Sequence, residues 1–384
     1  MSRAGPSRLL FVGVATLVVA VVLALLVTRP DATAPPVASG TGEAAAATPT
    51  PTELTAEQAG RAFLDGYVDP DGRVVRRDQG DDTVSEGQAY AMLVAVALGD
   101  QDTFSRVWTW TQQHLLRPDG TLSWRWMDGQ VVDDASASDA DLDAARALVL
   151  AGRRFDQPQL VTDGTTLGTA ILDVETATTT LGRILVAGSW ATEKPYAYNP
   201  SYASPAAVDV LASASDDDRW AELATGSRTA TTAVLDATDL PPDWAQVQDS
   251  GAVQPMPGAA GRGNDGVVYG YDATRMPLRY AESCDPADVA LAARLAKPLG
   301  RFPGTPASRD LGGQPLTEVR SVVAIAAQAA VAAAQGDRQG STAHLVEADH
   351  LQQQSPTYYG GAWDALGRLM LTDPALGGCP PLAG

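Results

Sequence analysis

The sequence predicts an all-α fold, a closed (α/α) barrel of helical hairpins. Apolar-rich segments at helical spacing follow one another from Thr55 onward, and no alternating strand pattern extends beyond a few residues. Residues 89–98 and 322–334 are apolar on all sides, which is typical of helices buried inside a large domain. No repeat of fixed length is present, so we expect the helices to close on themselves rather than stack as a solenoid.

Composition agrees with a packed, acidic domain. The 384 residues are 45% hydrophobic, which supports a sizeable core, and 27 Lys+Arg against 46 Asp+Glu give a formal charge of −19. Nucleic-acid binders need a basic surface to displace counterions, so this charge argues against that class of partner. With 3 histidines and 2 cysteines, a His- or Cys-based metal site is not expected, and we predict no cofactor.

The N-terminus carries a predicted membrane anchor. Residues 9–27 form an uncharged apolar run that would span about 28 Å as a helix, close to the thickness of a hydrocarbon core. Arg3 and Arg8 precede this run, which favours a cytoplasmic N-terminus and an extracytoplasmic remainder. Residues 1–29 are therefore predicted to be a cytoplasmic tip and a single-pass transmembrane signal anchor.

A cleaved signal peptide is the alternative, because residues 32–34 read Ala-Thr-Ala, a sequence similar to a cleavage site, which would leave a secreted protein. Residues 30–52 are rich in Pro, Ala and Thr and lack apolar periodicity, so they are predicted to be a linker. Residues 53–384 are predicted to form one domain. In an oxidising compartment, a disulfide between Cys284 and Cys379 is expected, with two unrelated thiols as the alternative.

Helix starts can be read along the body of the chain. Capping-box patterns occur at 55–58 and 85–88, and Ser138 precedes a third apolar-rich segment. Valine pairs at 74–75, 131–132 and 267–268 are candidates for small loop hairpins. Later candidate helices lie at 167–186, 203–213, 216–235, 272–282, 285–298, 316–335, 339–353 and 361–371.

Three acidic residues, Glu86, Asp139 and Asp272, each lie at a predicted helix start. In a ring of hairpins, alternate helix starts lie on the same rim, so the three carboxylates can converge on one cleft. The alternative is that each acid simply caps its helix, because carboxylates satisfy the free N–H groups of a first turn.

Aromatic residues in loop segments favour the cleft, because flat rings beside carboxylates suit the C–H faces of pyranose sugars. These aromatic residues are Trp124, Trp126, Tyr198, Tyr202, Tyr269 and Tyr271.

Five segments in order along the chain resemble glycoside hydrolase family 8, and the resemblance runs from about residue 55 to the YYGGAWDALG segment at 358–367. The resemblance implies an (α/α)6 barrel, or toroid, after the transmembrane helix and linker. A mild departure is Ala144, where Ile or Met is commoner in the family. The five segments are SEGQAYAMLVAVALGDQDTF at 85–104, LSWRWMDGQVVDDASASDADLDAARALVLAGRRF at 122–155, YNPSYASPAAV at 198–208, LPPDW at 240–244 and YDATRMPLRYA at 271–281.

Roles for the three acids follow from the resemblance, position by position. The glutamate of the SEGQ motif is the family's general acid, which corresponds to Glu86. The first aspartate of the ASDAD motif, at the cleavage subsite, corresponds to Asp139. The aspartate of the YDAxR motif is the general base in the subfamily that places it there, and it corresponds to Asp272.

The resemblance also implies substrate-binding residues. Trp124 and Trp126 match the family's sugar-stacking stretch, and Tyr202 and Tyr271 match tyrosines near the base. Arg275, one helical turn after Asp272, is expected to orient that carboxylate.

The family inverts anomeric configuration, so the resemblance predicts an inverting endo-hydrolase of β-1,4-linked, cellulose-like glucan. The anchor suggests that such an enzyme trims exopolysaccharide as it is exported. Chitosan, xylan and mixed-linkage glucan are alternative substrates within the same family. A different class of function is a non-hydrolytic, polysaccharide-binding accessory subunit of a membrane exopolysaccharide synthase.

Overall fold

The computed structural model describes residues 54–259 and 266–377, and α-helices dominate this part of the chain. The helices are α1 (Ala56–Tyr67), α2 (Ser85–Leu98), α3 (Gln101–His114), α4 (Ser138–Arg154), α5 (Pro158–Val174), α6 (Pro205–Ala212), α7 (Arg219–Ala237), α8 (Met276–Ala281), α9 (Pro286–Ala293), α10 (Ala296–Leu299), α11 (Val322–Ala334), α12 (Arg338–Gln354) and α13 (Tyr358–Thr372).

Six of these helices form an inner ring. Helix α2 packs on α4, α4 on α6, α6 on α8, α8 on α11, α11 on α13, and α13 returns to α2. The intervening helices lie outside the ring, and α1 packs against α13. The described residues therefore have the predicted closed (α/α)6 arrangement, with six inner helices.

The apolar segments predicted for the interior lie in this ring. Residues 89–95 of α2 are essentially inaccessible to solvent, and most of α11 is buried as well. A helix without a polar face is stable only where neighbouring helices cover every side, which the inner position provides. The prediction of buried inner helices at 89–98 and 322–334 is confirmed.

Short antiparallel strands lie in the loops that connect the helices. The strands are β1 (Thr83–Val84), β2 (Arg125–Met127), β3 (Gln130–Asp133), β4 (Thr176–Thr179), β5 (Gly182–Leu185), β6 (Tyr196–Tyr198), β7 (Trp244–Val247) and β8 (Val253–Met256). Within the described residues they form three small sheets, ordered β1-β2-β3, β4-β5 and β6-β7-β8.

Several local predictions differ from the structure. The helix predicted over 167–186 ends at Val174, and the β4–β5 hairpin replaces its second half. Threonines at 176 and 178–180 favour extended backbone, and Gly182 adopts a positive φ of 101°. Of the valine pairs, 131–132 lies in β3, whereas Val74 makes only an isolated bridge and 267–268 lies outside the strands.

The capping patterns also have mixed outcomes. The box at 55–58 is present, with the Thr55 side chain accepting from Gln58 N–H and the Gln58 side chain accepting in return. The box predicted at 85–88 is wrong, because Ser85 is already helical and no side chain caps α2. Gln88 is instead buried and accepts a 2.6 Å hydrogen bond from the Val74 N–H.

The predicted anchor (1–29) and linker (30–52) lie outside the described residues. Within 54–259 and 266–377, no helix combines the length and apolar character that a membrane span requires. Cys284 takes part in a disulfide, and Cys379 lies outside the described residues, so the pairing stays a prediction.

Candidate active site

The three sequence-predicted acids lie at the N-terminal ends of inner helices. Glu86 is in the first turn of α2, Asp139 is in the first turn of α4, and Asp272 precedes the 3-10 turn Ala273–Arg275 that leads into α8. Asp272 makes no capping hydrogen bond, and Glu86 Oε1 and Asp139 Oδ2 accept from Arg275. Hydrogen-bonded capping therefore does not account for these three acids, whereas a favourable interaction with the helix dipole stays compatible with their positions.

Arg275 holds all three carboxylates. Its Nη1 donates to Glu86 Oε1 at 2.8 Å and to Asp139 Oδ2 at 2.7 Å, and its Nη2 donates to Asp272 Oδ1 at 2.9 Å. The arginine side chain is buried, so these charge-assisted bonds are little weakened by solvent. We call these four side chains the carboxylate cluster.

The guanidinium limits how far apart two of the acids can be. The two Nη atoms of one guanidinium are about 2.3 Å apart, so Glu86 Oε1 and Asp272 Oδ1 are separated by at most about 8 Å. Inverting glycosidases place their two carboxyl groups about 6.5–9.5 Å apart to leave room for a water. The bound admits the lower part of that range and also the separation of about 5–5.5 Å in retaining enzymes, so the distance alone does not assign the stereochemistry.

Exposure distinguishes the three acids. The side chains of Glu86 and Asp272 are 25% and 30% exposed, whereas that of Asp139 is only 2% exposed. Glu86 and Asp272 line a cleft of about 700 Å³ together with Tyr90 and Tyr271, and Asp139 lies beneath them. A substrate can therefore reach the two exposed acids directly, while Asp139 supports the cleft from below.

Electrostatics favour a retained proton in the cluster. Burial, followed by the neighbouring Glu86 carboxylate, raises the pKa of Asp139 well above its ordinary value, and Arg275 acts against this increase. Burial also raises the pKa of Asp272, although Arg275 opposes the increase. One guanidinium cannot neutralise three partly or fully buried carboxylates, which favours the protonated form of the most buried one, Asp139.

The helix N-termini also affect the charge state of the carboxylate cluster. The starts of α2, α4 and the 3-10 turn before α8 meet at this rim, and the partial positive charge of a helix N-terminus stabilises negative charge. The helix ends and Arg275 together make a rim where several carboxylates can coexist.

Residues that the sequence analysis did not select complete the site. The Tyr90 hydroxyl accepts from Arg275 Nη1 at 3.0 Å and donates to Glu86 Oε1 at 3.4 Å. The side-chain N–H groups of Asn199 and Trp244 face Asp272 and lower its pKa. Tyr90 could have been found from sequence, because it lies one helical turn after Glu86 on the same face.

Asp243 organises the loop that carries Asp272. Its Oδ1 accepts from the N–H groups of Gly270 and Ala273, both at 2.8 Å. Burial, and then the charge of Asp272, raises the pKa of Asp243 to about 7. Its position within the LPPDW segment at 240–244 was the signal available from sequence.

Two of the predicted aromatic residues lie beside the acids. The Arg275 guanidinium lies 5.3 Å from the Tyr202 ring, which in turn packs edge-on against Trp244. Tyr271 is 51% exposed at the cleft and packs against Tyr359, whose hydroxyl donates to the Tyr271 carbonyl at 2.9 Å. Tyr271 therefore offers an open ring face to a ligand.

The predicted tryptophans have different surroundings. Trp124 is partly exposed, and its carbonyl accepts from Ser85 N–H at the start of α2. Trp126 packs against Trp110 and His114, and the Arg73 guanidinium lies 4.5 Å from its ring. These contacts occupy much of the Trp126 ring, and sugar stacking by either tryptophan stays a prediction.

Two loop aromatics expected at the cleft are instead buried. Tyr198 has no exposed surface and hydrogen-bonds to Thr231 at 3.1 Å, and Tyr269 is also buried. Tyr198 lies in β6, so its side chain packs beneath the sheet rather than in an open loop. Among the described residues, no group of three His, Cys, Asp or Glu side chains could hold a metal ion.

Known proteins resemble this chain over most of its length. Residues 44–372 match the family model described as glycosyl hydrolases family 8. A probable endoglucanase of Novacetimonas hansenii is 31% identical over 252 residues, which cover 64% of this chain and 71% of that protein. An endoglucanase of Xanthomonas axonopodis pv. citri (strain 306) is 34% identical over 252 residues, covering 62% of each chain.

Solved structures show the same architecture. The endo-beta-1,4-glucanase CMCax from Acetobacter xylinum superposes with a TM-score of 0.70 at 26% identity, covering 83% of this chain and 98% of that one. A beta-1,3-1,4-glucanase from Paenibacillus sp. X4 has a TM-score of 0.71 at 20% identity, covering 84% and 94%, and this likeness shows the fold alone.

Proposed function

Because the chain belongs to glycosyl hydrolases family 8, we propose that it is an inverting endo-hydrolase of β-1,4-linked glucan. Membership makes the chain a glycoside hydrolase, and the endoglucanases among its relatives support the substrate. The observation that carries the proposal is the carboxylate cluster, in which one buried arginine fixes two cleft-facing acids and one buried acid.

In this proposal each acid has a task. Glu86 faces the cleft beside Tyr90 and is the general acid that protonates the glycosidic oxygen. Asp272, on the other arm of the Arg275 guanidinium, is the base that removes a proton from the attacking water. Water attacks the opposite face of the sugar, so the anomeric configuration inverts.

Asp139 has a supporting task. Its Oδ2 is bound by Arg275, and its Oδ1 is buried with no hydrogen-bond partner among the described residues. A buried carboxyl oxygen without a partner carries a large desolvation cost, which a proton or a sugar hydroxyl would offset. Asp139 therefore supports the cleavage position from below, by holding the Arg275 guanidinium that contacts Glu86 and Asp272.

The membrane location belongs to the same proposal. The apolar run at 9–27, with Arg3 and Arg8 before it, supports a single-pass anchor with the hydrolase domain outside the cell, where the enzyme trims exported exopolysaccharide beside a synthase. Washing isolated membranes with alkaline carbonate and sequencing the mature N-terminus tests this part. A released protein that begins near residue 35 would show instead that the segment is a cleaved signal peptide.

The activity is tested by incubating the full chain with carboxymethyl-cellulose, mixed-linkage glucan, xylan and chitosan and measuring new reducing ends. We expect release from the β-1,4-glucan, loss of that release in Glu86→Gln and Asp272→Asn, and wild-type release in Glu193→Gln, where the changed side chain is exposed. Faster release from xylan or chitosan would show that this polymer, and not β-1,4-linked glucan, is the preferred substrate. Polymer binding without any release would favour the non-hydrolytic role.

A further inference from the structure

A second pair of carboxyl groups lies buried beside the cluster. Asp141, in the first turn of α4, and Glu175, which follows the last residue of α5, both have no exposed surface. Asp141 Oδ1 accepts from Leu122 N–H at 2.8 Å, and Glu175 Oε1 accepts from the Ser136 hydroxyl at 2.6 Å. The two carboxyl groups are close enough for each to change the pKa of the other.

The two remaining oxygens require a proton. Asp141 Oδ2 and Glu175 Oε2 are buried, and neither has a hydrogen-bond donor among the described residues. Two ionised carboxylates in contact, both removed from water, would repel each other without compensation. A single proton held between them supplies the missing donor to one oxygen and removes one of the two charges.

The surroundings do not supply a counter-charge. Asp139 adds negative charge near Asp141 and Asp119 near Glu175, and Arg117 is a basic group that acts on Glu175. Arg117 is already bound to Asp119 at 2.8 Å, so it does not neutralise the pair. Burial raises the pKa of both Asp141 and Glu175.

The pair connects the segment that leads into Asp139 with its neighbours. The Ser136 hydroxyl, which donates to Glu175, accepts from Ser189 N–H at 2.9 Å, and the Ser136 carbonyl accepts from Trp190 Nε1 at 3.1 Å. Leu122, which donates to Asp141, lies two residues before Trp124. The pair therefore joins the start of α4 to two loops on the active-site rim.

We infer that Asp141 and Glu175 share one proton and act as positioning residues that hold the first turn of α4, and with it Asp139, in register with the rest of the cluster. The structural part of this inference is independent of the activity. Its effect on turnover rests on the proposed function.

Thermal unfolding of the full chain at a series of pH values tests the shared proton. Between the ordinary carboxyl pKa, about 4, and the raised folded pKa, the folded pair retains a proton that the unfolded chain has lost, so stability falls as pH rises through this window. Glu175→Gln cannot lose that proton. We expect the Tm of Glu175→Gln minus that of the wild type to increase from pH 4 to pH 8.

Asp141→Asn changes the other acid of the pair, and its Tm difference from the wild type is expected to increase with pH in the same way. Glu193→Gln replaces an exposed carboxyl group by an amide, and its Tm difference is expected to stay constant with pH. A Tm difference that stays constant with pH in both Glu175→Gln and Asp141→Asn would overturn the shared proton. This result does not depend on whether the enzyme hydrolyses any of the polymers tested.

Turnover tests the positioning role. The side-chain amide that Glu175→Gln introduces can donate to Asp141 and accept from Ser136, so kcat is expected within about threefold of wild type. Glu175→Ala removes both contacts and is expected to lower kcat by about tenfold or more, with KM little changed. The reason is that a displaced Asp139 would slow the chemical step more than it would weaken substrate binding. Equal kcat values in Glu175→Gln and Glu175→Ala, measured on folded protein, would contradict the role.

Discussion

At the scale of single residues, the site depends on Arg275. Its planar guanidinium offers several fixed N–H donors, which is why one side chain can contact Glu86, Asp139 and Asp272 at the same time. A lysine ammonium is a compact charge without that planar arrangement of N–H donors. The residue that the sequence analysis expected to orient one acid therefore orients all three.

Replacing Arg275 by lysine tests whether the site needs the planar guanidinium or only its positive charge. In Arg275→Lys we expect kcat/KM to fall by about a hundredfold or more, because the acids lose their common orientation although the positive charge is retained. Steady-state kinetics on soluble β-1,4-glucan measure the effect. Arg183→Lys, at a partly exposed pair with Glu222, is the matched control and is expected to retain wild-type kinetics. Near-wild-type activity in Arg275→Lys would contradict the requirement for the planar guanidinium.

The pH profile reports on Asp272. This base must be ionised, and burial raises its pKa, so kcat is expected to fall as pH drops through a value above the ordinary 3.8. Asn199 lowers the pKa of Asp272, so Asn199→Ala is expected to move this acid limb to higher pH. The measurement is kcat at saturating substrate from pH 3 to pH 8. An acid limb that stays in place or moves to lower pH in Asn199→Ala would count against Asp272 as the base.

At the scale of elements, buried ion pairs connect α4 to α8. Arg279 contacts both oxygens of Asp143, with Nη1 to Oδ1 at 2.7 Å, and both side chains are buried. One turn further along α4, Arg146 binds Glu282 at 3.0 Å, immediately after α8. These contacts align the helix that carries Asp139 with the segment that carries Arg275.

Breaking one of these pairs is expected to be costly. Asp143→Ala leaves the Arg279 charge buried without its main partner, which is expected to lower the free energy of unfolding by about 3–5 kcal/mol. Denaturant unfolding measures this loss. The double variant Asp143→Leu with Arg279→Met removes both charges and is expected to be more stable than Asp143→Ala. A single variant as stable as the wild type would show that the pair contributes little.

Close packing between β5 and α7 depends on a glycine. A Cβ at Gly226 would overlap the carbonyl oxygen of Arg183, and that atom belongs to the backbone of β5. Gly226→Ala is therefore expected to lower the free energy of unfolding by about 1–3 kcal/mol, as overpacking does elsewhere. Denaturant unfolding measures this effect.

Gly66 in α1 provides the control for Gly226, because nothing lies within 4 Å of the Cβ that alanine would add there. Gly66→Ala is expected to be neutral or stabilising by up to about 1 kcal/mol, since alanine favours helix. Destabilisation of the same size at both positions would contradict the packing explanation.

The helical elements could be predicted well from sequence where apolar periodicity is strong, and less well at their ends. The inner helices α2 and α11 follow directly from runs with no polar face. The β4–β5 hairpin was missed because a short threonine-rich stretch after an apolar helix has no periodicity of its own. Gln88 matches a capping box in sequence, but burial against Val74 determines its contacts.

At the scale of the whole molecule, ring closure brings the acids together. Glu86 and Arg275 are 189 positions apart in sequence, and Asp139 and Arg275 are 136 apart, yet each pair is in contact because inner helices start on one rim. The sequence could predict convergence from helix direction, and the family resemblance could predict roles. The shared proton of Asp141 and Glu175 could not be predicted, because it depends on a contact between two elements and on burial.

The central claim is that Glu86 and Asp272 act from opposite faces of the sugar in a single displacement. Proton NMR of a β-1,4-linked gluco-oligosaccharide, recorded during the first minutes of hydrolysis by the full chain, tests this most directly. The account predicts that the new reducing end appears first as the α-anomer and then mutarotates, with no product from Glu86→Gln. First appearance of the β-anomer would contradict it.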